Sequence, residues 1–471
     1  MKSSLFRLSV LFALTSLTAS HAFSGDSVFF TTGYKAGEVT AHSVVILTRL
    51  CDAAAPVGVW HERQGAPFRS PVDFDNDMPV GEMDGHVGGA KGEVRISLIK
   101  GRVKLVSGWL KAKAENDFMV KLPFNGLEPY TSYNVRLEGR KSVMAPVTVF
   151  TGSFRTAPAP DMIVPVELTS SSCQYFWDFD DPERGFRIYD SMLKLHPDFY
   201  VQTGDYVYYD KPGPIADNKE KARHKWSAMN AWPSIVDFSS KVPFYIEKDD
   251  HDMLRDDAWS GIEPLGYLTF DEALGIWNRH VPLKGKPYRT VRWGKDLQIW
   301  LVEGREYRSP NTMPDGPGKT IWGKEQKDWL VRTVKASDAT FKILFSETPI
   351  VGPDRAKGKN DNYANKAFQT EGEWVRHFLA SVDNMYVING DRHWQYVSVD
   401  DKTGLTEFSQ GPASDSHAQG WQPDDVRPEH RFLRVKGGFI GVKVDRENDK
   451  PFIVFTHYDV DGKVVHEERM P

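Results

Sequence analysis

From residue 164 onward, apolar strand-like runs alternate with stretches of helical periodicity, and no other feature of the sequence restricts the fold as strongly. The predicted strands lie at 164–168, 199–201, 244–246, 297–302, 341–345, 385–388, 439–444 and 451–456. Helical stretches intervene, for example at 324–335 and 370–381. Strands that alternate with helices bury both faces of a sheet, so we predict a layered α/β domain with a mixed sheet core for residues 161–471.

Residues 27–155 show a different pattern, in which short strands are separated by turns and no comparable helix occurs. The run 43–50 is β-branched and apolar, and residues 118–122 and 133–137 alternate between inward and outward positions. Residues 127–133 resemble the turn and tyrosine corner of fibronectin-type sandwiches. We therefore predict an N-terminal β-sandwich domain at 27–155, followed by a proline-containing linker at 156–160.

The first 22 residues have the composition of a signal peptide rather than of a core helix. Lys2 and Arg7 flank the start of a short apolar stretch at 8–17, and Ser20-His21-Ala22 offers a cleavage site between small residues. This stretch is shorter than the about 20 residues that a transmembrane helix needs, and no later segment reaches that length. We predict export, with the protein periplasmic or extracellular and without a transmembrane segment.

The overall charge argues against a polyanionic partner. The chain has 59 Lys and Arg against 64 Asp and Glu, a net charge of −5, and no long basic run. This balance gives no support for a nucleic-acid or anionic-membrane surface. The sequence also lacks a Gly-x-Ser-x-Gly elbow, so a serine esterase of that type has no support.

Ligand-type side chains directly follow four of the predicted strands. The four segments are Ser171-Ser172-Cys173-Gln174, Gly204-Asp205-Tyr206-Val207-Tyr208, Asp249-Asp250-His251-Asp252 and Asn389-Gly390-Asp391-Arg392-His393. In layered α/β sheets, functional residues meet at the carboxyl ends of the strands. An aspartate after a glycine can point its carboxylate back over the strand end and bridge two cations. We infer a metal site in which thiol, phenol and imidazole suit iron or zinc, and carboxylates suit calcium or magnesium.

Each segment also has an ordinary structural interpretation. Gly204-Asp205 can be a simple turn, residues 249–252 can be a solvated acidic loop, and His393 can be a buried histidine with satisfied hydrogen bonds. Cys173 can instead form a disulfide with Cys51, the other cysteine of the chain. The joint occurrence of the four segments favours metal binding, and the disulfide remains the alternative for Cys173.

The order of the four segments resembles the alkaline phosphatase D (PhoD-like) family, a branch of the calcineurin-like metallophosphoesterases. The resemblance covers nearly the whole chain after residue 22 and includes two lesser signatures, at 323–330 and 361–363. It implies a four-layer α/β/β/α metallophosphoesterase domain preceded by the β-sandwich. It also implies a phosphodiesterase or phosphomonoesterase that hydrolyses a small-molecule or lipid phosphate ester with metal-bound hydroxide at a dinuclear centre. The alternative is an exported, calcium-stabilised binding or structural module without turnover.

The resemblance further implies a role for each residue of the site. The metal ligands would be Asp205 as the bridge, Cys173 and Tyr208 at an iron-type site, Asp250 and Asp391 at a calcium-type site, and His393 at the metal centre. The expected ions are Fe3+ with Ca2+, with Zn2+, Mn2+ and Mg2+ as alternatives. His251 would stabilise the transition state or protonate the leaving oxygen. Arg392 and Arg305 would neutralise phosphoryl oxygens, with structural ion pairing as the alternative.

Overall fold

The computed structural model describes residues 26–62, 73–355 and 360–471. The predicted signal peptide at 1–22 lies outside the described residues. The strands, in chain order, are β1 (Tyr34–Gly37), β2 (Ser43–Arg49), β3 (Gly92–Lys100), β4 (Val103–Val106), β5 (Leu110–Ala112), β6 (Met119–Asn125), β7 (Ser132–Arg140), β8 (Thr148–Arg155), β9 (Val166–Ser171), β10 (Phe199–Thr203), β11 (Phe244–Glu247), β12 (Arg289–Trp293), β13 (Leu297–Leu301), β14 (Phe341–Ser346), β15 (Met385–Asn389), β16 (Gln395–Val399), β17 (Thr406–Gln410), β18 (His430–Arg434), β19 (Phe439–Glu447), β20 (Lys450–Tyr458) and β21 (Val464–Met470).

The α-helices are α1 (Arg187–Lys194), α2 (Lys219–Asn230), α3 (Pro233–Ser239), α4 (Asp250–Met253), α5 (Phe270–His280), α6 (Gly323–Lys335) and α7 (Gln369–Ala380). The local sequence explains where they begin. Helix α5, for example, starts at a capping box in which Thr269 accepts a hydrogen bond from the Glu272 amide and the Glu272 side chain accepts one from the Thr269 amide. Within the described residues, no helix combines the length and apolar character that a membrane span requires.

The strands form two large sheets and one smaller sheet. The nine-stranded sheet has the order β21-β20-β19-β9-β10-β11-β1-β2-β6, and the seven-stranded sheet has the order β12-β13-β14-β15-β17-β16-β18. Strands β9, β10 and β11 run parallel, as do β13, β14 and β15. The predicted mixed α/β fold is thereby confirmed, and the strands and helices predicted after residue 164 lie within a few residues of their expected positions.

The two large sheets pack face to face, with helices on their outer faces. Phe199 of β10 and Ile343 of β14 belong to one buried core between the sheets. Tyr200, the next residue along β10, points the other way and packs in a second cluster with residues of α1, α2, α3 and α5. Leu344 of β14 likewise packs with α6 and α7 in a third cluster. The order of packing is therefore helices, sheet, sheet, helices.

The N-terminal strands are divided between two sheets. Strands β1, β2 and β6 belong to the nine-stranded sheet, where Gly37 of β1 pairs in parallel with Phe244 of β11. Strands β3, β4, β5, β7 and β8 form the smaller sheet. The Tyr133 hydroxyl accepts a 3.0 Å hydrogen bond from the Glu128 amide, which is the contact expected of a tyrosine corner. Strands β1, β2 and β6 thus continue the large sheet and do not form a sheet of their own. The separate β-sandwich domain predicted at 27–155 is therefore not confirmed.

A buried ionic cluster ties the N-terminal strands to the helical layer. Arg49, at the end of β2, lies 3.2 Å from Asp117 Oδ1, and the Nε2 atom of His280 in α5 lies 3.1 Å from Asp117 Oδ2. Burial raises the pKa of Asp117, but the contacts with His280 and Arg49 outweigh this effect and leave that pKa below its ordinary value. The ionised carboxylate therefore stabilises the fold.

Replacement of Asp117 is expected to test this cluster. Asp117→Asn keeps the size of the side chain and tolerates the left-handed backbone conformation at this position (φ 51°). It leaves Arg49 buried without its counter-ion, which should cost about 3 kcal/mol in the free energy of unfolding at neutral pH, measured by urea denaturation.

The difference in the free energy of unfolding between Asp117→Asn and wild type should shrink as the pH falls below about 4, where Asp117 is protonated in the unfolded chain and then in the folded one. The exposed Asp338, which pairs with Arg292, is the control, since Asp338→Asn should leave the free energy of unfolding nearly unchanged. Equal effects of the two variants would contradict the assignment.

Candidate metal centre

Four strand ends bring the predicted ligands to one place. Strands β9, β10 and β11 of the nine-stranded sheet and β15 of the seven-stranded sheet are each followed by one of the four segments. Two glycines permit the close approach. A Cβ atom on Gly204 (φ 92°) would lie 2.5 Å from the Asp249 Cβ, and one on Gly390 would lie 2.5 Å from the Thr203 carbonyl oxygen. Glycine is therefore required at both positions for the strand ends to meet.

The backbone at three predicted ligands is strained. Cys173, Asp205 and Asp391 have φ angles of 51°, 55° and 62°, in the left-handed region that non-glycine residues rarely occupy. Such conformations cost of the order of 1 kcal/mol each or more and persist only where the surrounding structure enforces them. Their presence at three residues of one cluster indicates that the position of these side chains is under functional constraint.

Asp205 lies at the centre of the cluster. Its carboxylate oxygens lie within 4.8 Å of ligand atoms of Cys173 and His393, and also within 4.8 Å of ligand atoms of Asp249 and Asp391. Cys173 Sγ is 3.5 Å from Asp205 Oδ2. The Tyr208 hydroxyl donates a 3.0 Å hydrogen bond to the same oxygen. Asp250 and His251 form a further group with Asp205. The structure thus brings together all six predicted metal ligands.

The donor atoms fit a group of cations. Asp205 Oδ1 and Asp249 Oδ2 are buried and have no hydrogen-bond partner among the described residues. Burial raises the pKa of Asp205 to about 7 and raises the pKa values of Asp249 and of the Cys173 thiol well above their ordinary ranges. Several carboxylates packed together without enough donors carry an electrostatic cost that bound cations remove. Cys173 and His393 form one group of donors with Asp205, and Asp249 and Asp391 form another, so the set suits two ions of different hardness.

Asp252 has a structural role in the same loops. Its carboxylate accepts hydrogen bonds from the amides of Asp205 at 2.7 Å, Val207 at 2.9 Å and Asp249 at 3.0 Å. A single side chain therefore fixes the backbone on which two of the central carboxylates lie. It connects the end of β10 to the end of β11.

His251 lies between the buried carboxylates and the solvent. Its Nδ1 atom is 2.7 Å from Asp210 Oδ1, and its Nε2 atom is 3.4 Å from Oδ1 of Asp256, whose side chain is 61% exposed. Burial alone would lower the pKa of His251, but the carboxylates of Asp210 and Asp250 outweigh it and raise that pKa to about 10. Asp210 orients the imidazole ring, and the protonated ring can release a proton.

The two predicted arginines are completely buried in ion pairs. Arg305 Nε donates a 2.6 Å hydrogen bond to Asp249 Oδ1. The Nη2 atom of Arg392 lies 2.6 Å from Asp391 Oδ2 and 3.0 Å from Asp354 Oδ2. These contacts support the alternative of structural ion pairing for both arginines, since Arg305 pairs with Asp249 and Arg392 pairs with Asp391. A direct contact with phosphoryl oxygens stays a prediction.

Several residues of the site were not assigned from the sequence. Asp249 lies within the predicted segment 249–252, but only Asp250 was given a ligand role. His417 Nε2 is 3.1 Å from the Tyr208 hydroxyl, and its Nδ1 atom is 2.5 Å from Asp178 Oδ2. Asp178 and His417 are 239 positions apart, each in a short 3-10 helix. The sequence around them carries no signal comparable to the four segments, so only the folded chain connects them.

The cysteine alternatives are decided by the structure. Cys51 and Cys173 are both buried free thiols. Cys51 pairs through its backbone with Phe29 and Gly89, whereas Cys173 lies at the cluster around Asp205. The predicted alternative of a Cys51–Cys173 disulfide is therefore wrong, and the Cys173 thiol is available as a ligand.

A layered α/β fold with this cluster at its strand ends is typical of metallophosphoesterases. Residues 168–435 match the family described as PhoD-like phosphatase, and the chain belongs to this family. Among curated proteins it is 24% identical over 425 residues to alkaline phosphatase D of Bacillus subtilis (strain 168). That match includes 78% of this chain and 65% of the relative, so just under two thirds of the relative's length is represented.

Two solved structures share the fold. A structure of PhoD superposes with a TM-score of 0.71 at 18% identity, covering 95% of this chain and 89% of that one. The purple acid phosphatase PPD1 from yellow lupin (Lupinus luteus) seeds superposes with a TM-score of 0.62 at 11% identity, covering 94% of this chain and 74% of that one. At these identities the similarity concerns the fold.

Proposed function

We propose that this chain is a metal-dependent phosphoesterase of the alkaline phosphatase D type, which hydrolyses phosphate monoesters or diesters at a two-metal centre. One observation carries the proposal. The carboxylate of Asp205 lies within 4.8 Å of donor atoms of Cys173 and His393 and also of Asp249 and Asp391. One oxygen of this carboxylate is buried without a hydrogen-bond partner among the described residues. A carboxylate in this position is suited to bridge two cations.

The residues that would hold the ions fall into two sets. Cys173, Tyr208 and His393 would bind one ion, which the thiol and phenol suit to be Fe3+. Asp249, Asp250 and Asp391 would bind the second, which their carboxylates suit to be Ca2+, and Asp205 would contact both. Zn2+, Mn2+ and Mg2+ remain alternatives for either position. When bound, the ions supply positive charge that polarises the phosphoryl group and lowers the pKa of water.

The remaining side chains orient these groups and move a proton. We assign the proton donor for the leaving oxygen to His251, because Asp210 fixes its ring through Nδ1 and leaves Nε2 as the other protonated nitrogen. Arg305 would hold Asp249, and Arg392 would hold Asp391, in the orientation for metal binding.

His417 and Asp178 would position Tyr208. The contact of Asp178 with Nδ1 of His417 fixes which way the ring faces, and its Nε2 atom then meets the Tyr208 hydroxyl. The His417 ring also lies against that of His393, with 4.4 Å between the ring centroids. A residue pair that supports ligands in this way normally tunes metal affinity rather than creating the site.

The proposed substrate is a small-molecule or lipid phosphate ester, and the proposed location is outside the cytoplasm, after removal of residues 1–22. Both proposals come from the sequence, namely from the family resemblance and from the segment around Lys2 and Arg7. The choice between monoester and diester is left to the experiment.

Metal analysis combined with ester hydrolysis tests the function. The purified protein should contain bound metal, with iron and calcium as the expected pair, and should hydrolyse p-nitrophenyl phosphate, bis(p-nitrophenyl) phosphate or both. Chelation should remove the activity, and re-addition of the metals should restore it. The preferred ester would define the substrate class. A protein that binds calcium but hydrolyses neither ester with any of the five metals would overturn the proposal in favour of a non-enzymatic binding module.

A further inference from the structure

One region of the chain carries a net positive charge. Residues 91–155 contain 12 Lys and Arg against 5 Asp and Glu, a net charge of +7, although the whole chain carries −5. This region contains all strands of the smaller sheet, which are β3, β4, β5, β7 and β8. The net charge of the whole chain therefore conceals a basic region, which a search for long Lys/Arg runs does not detect.

The structure gathers part of this charge around a cleft. A cleft of about 520 Å³ lies beside β5 and the β7–β8 turn. Four lysines line it: Lys91, Lys111, Lys113 and Lys141. Of the two acidic residues in its wall, Glu93 is engaged by Arg140 at 2.8 Å. Lys141 lies 3.9 Å from Asp26 Oδ1. The four lysines still outnumber the two glutamates of the wall, so the cleft keeps an excess of positive charge that a single anionic group or a row of them would neutralise.

Apolar side chains project into solvent at the same edge. In the turn between β7 and β8, Val143 is 71% exposed and Met144 is 92% exposed, two and three residues after Lys141. Val143 also lines the lysine cleft. Isolated exposed apolar residues are common, but two adjacent ones at a turn tip beside four lysines form a distinct surface.

We propose that this surface, formed by the β7–β8 turn and the lysine cleft, docks the protein on an anionic lipid bilayer. The apolar tips of Val143 and Met144 would enter the interface between headgroups and acyl chains, and the lysines would contact lipid phosphates. A soluble polyanion would use the lysines but leave the apolar tip in water. The bilayer is the partner that uses both features, and the proposal does not depend on the hydrolytic activity.

Vesicle co-sedimentation of the full mature chain tests the proposal. Wild-type protein should bind vesicles that contain phosphatidylglycerol, should bind pure phosphatidylcholine vesicles much less, and should be released by salt. Val143→Ser combined with Met144→Ser should weaken binding to the anionic vesicles at least roughly tenfold, and so should Lys111→Glu combined with Lys113→Glu. Matched controls elsewhere on the surface are Tyr267→Ser and Lys324→Glu, which replace equally exposed side chains and should bind as wild type does.

Hydrolysis of a soluble phosphate ester should be unchanged in all these variants, so a defect in docking is separable from a defect in catalysis. Failure of the wild-type protein to bind anionic vesicles would overturn the proposal. Binding that is lost with the lysines but retained in the Val143 and Met144 double variant would also overturn it, because the surface would then fit a soluble polyanion. Equal loss in the control variants would show that the effect is not specific to this face.

Discussion

Asp205→Asn is expected to reduce ester hydrolysis by at least roughly 1000-fold, because the substitution removes the charge at the one carboxylate that lies within reach of both groups of donor atoms. The amide has nearly the same size, so the packing around the strand end should be retained. Steady-state kinetics with the preferred p-nitrophenyl ester, together with the metal content of the purified variant, measure the effect. At least one of the two ions should be lost or bound much more weakly.

The stability of the metal-free variant separates a lost site from a lost fold. Asp205 is buried with Asp249 and Asp391 close by, so removal of one negative charge relieves repulsion. The metal-free Asn variant should therefore unfold at the same temperature as the metal-free wild type or at a higher one. The exposed Asp338→Asn is the matched control and should hydrolyse the ester at the wild-type rate. Wild-type turnover by the Asp205 variant would remove the basis for a bridging role.

His251→Ala should reduce hydrolysis by roughly 100- to 10,000-fold for esters with poor leaving groups, while the metal content stays unchanged. The physical reason is that an alkoxide leaving group needs a proton as the bond to phosphorus breaks, and His251 lies at the edge of the centre with Asp210 at its Nδ1. A p-nitrophenolate leaving group needs this proton far less. The loss should therefore be much larger with an alkyl phosphate ester than with the p-nitrophenyl ester.

Asp210→Asn provides a graded comparison for His251. It keeps a side chain at the 2.7 Å contact but removes the charge that orients and stabilises the imidazolium, so its loss of activity should be intermediate and should show the same dependence on the leaving group. If both variants lost activity equally with all leaving groups, His251 would act through metal binding or packing instead of proton transfer.

Most of the metal centre could be predicted from the sequence because its ligands follow strands directly. Gly204-Asp205 and Gly390-Asp391 stand at strand ends, where the chain must turn and where a polar side chain has no core to enter. The parallel pairing of β9, β10 and β11 places three of the strand ends at one edge of the nine-stranded sheet, and β15 of the other sheet contributes Gly390-Asp391. Local sequence and the rules of sheet packing predicted that the four segments meet, whereas the ligand role of each residue came from the family resemblance.

The supporting residues could not be predicted in the same way. Asp178 and His417 meet only through the folding of distant segments, and a short 3-10 helix gives no periodic signal. Arg305 and Arg392 were predicted either to neutralise phosphoryl oxygens or to form structural ion pairs, and residue type alone does not distinguish the two roles. Burial and the neighbouring carboxylates support the ion pairs. The pairing of β1 with β11 could not be predicted either, because a pattern of alternating residues does not specify which strand it will pair with.

The pairing of β1 with β11 and of β9 with β19 has a consequence for biosynthesis. Strand β1 is made early, but the neighbour that joins it to the large sheet is not made until residue 247. Strand β9, which precedes Cys173, gains its outer neighbour only when β19 ends at residue 447. A ribosome-bound chain therefore lacks a completed nine-stranded sheet until synthesis is nearly finished. The four segments around Asp205 can meet only after β15 has been made, so assembly of the centre comes late in synthesis.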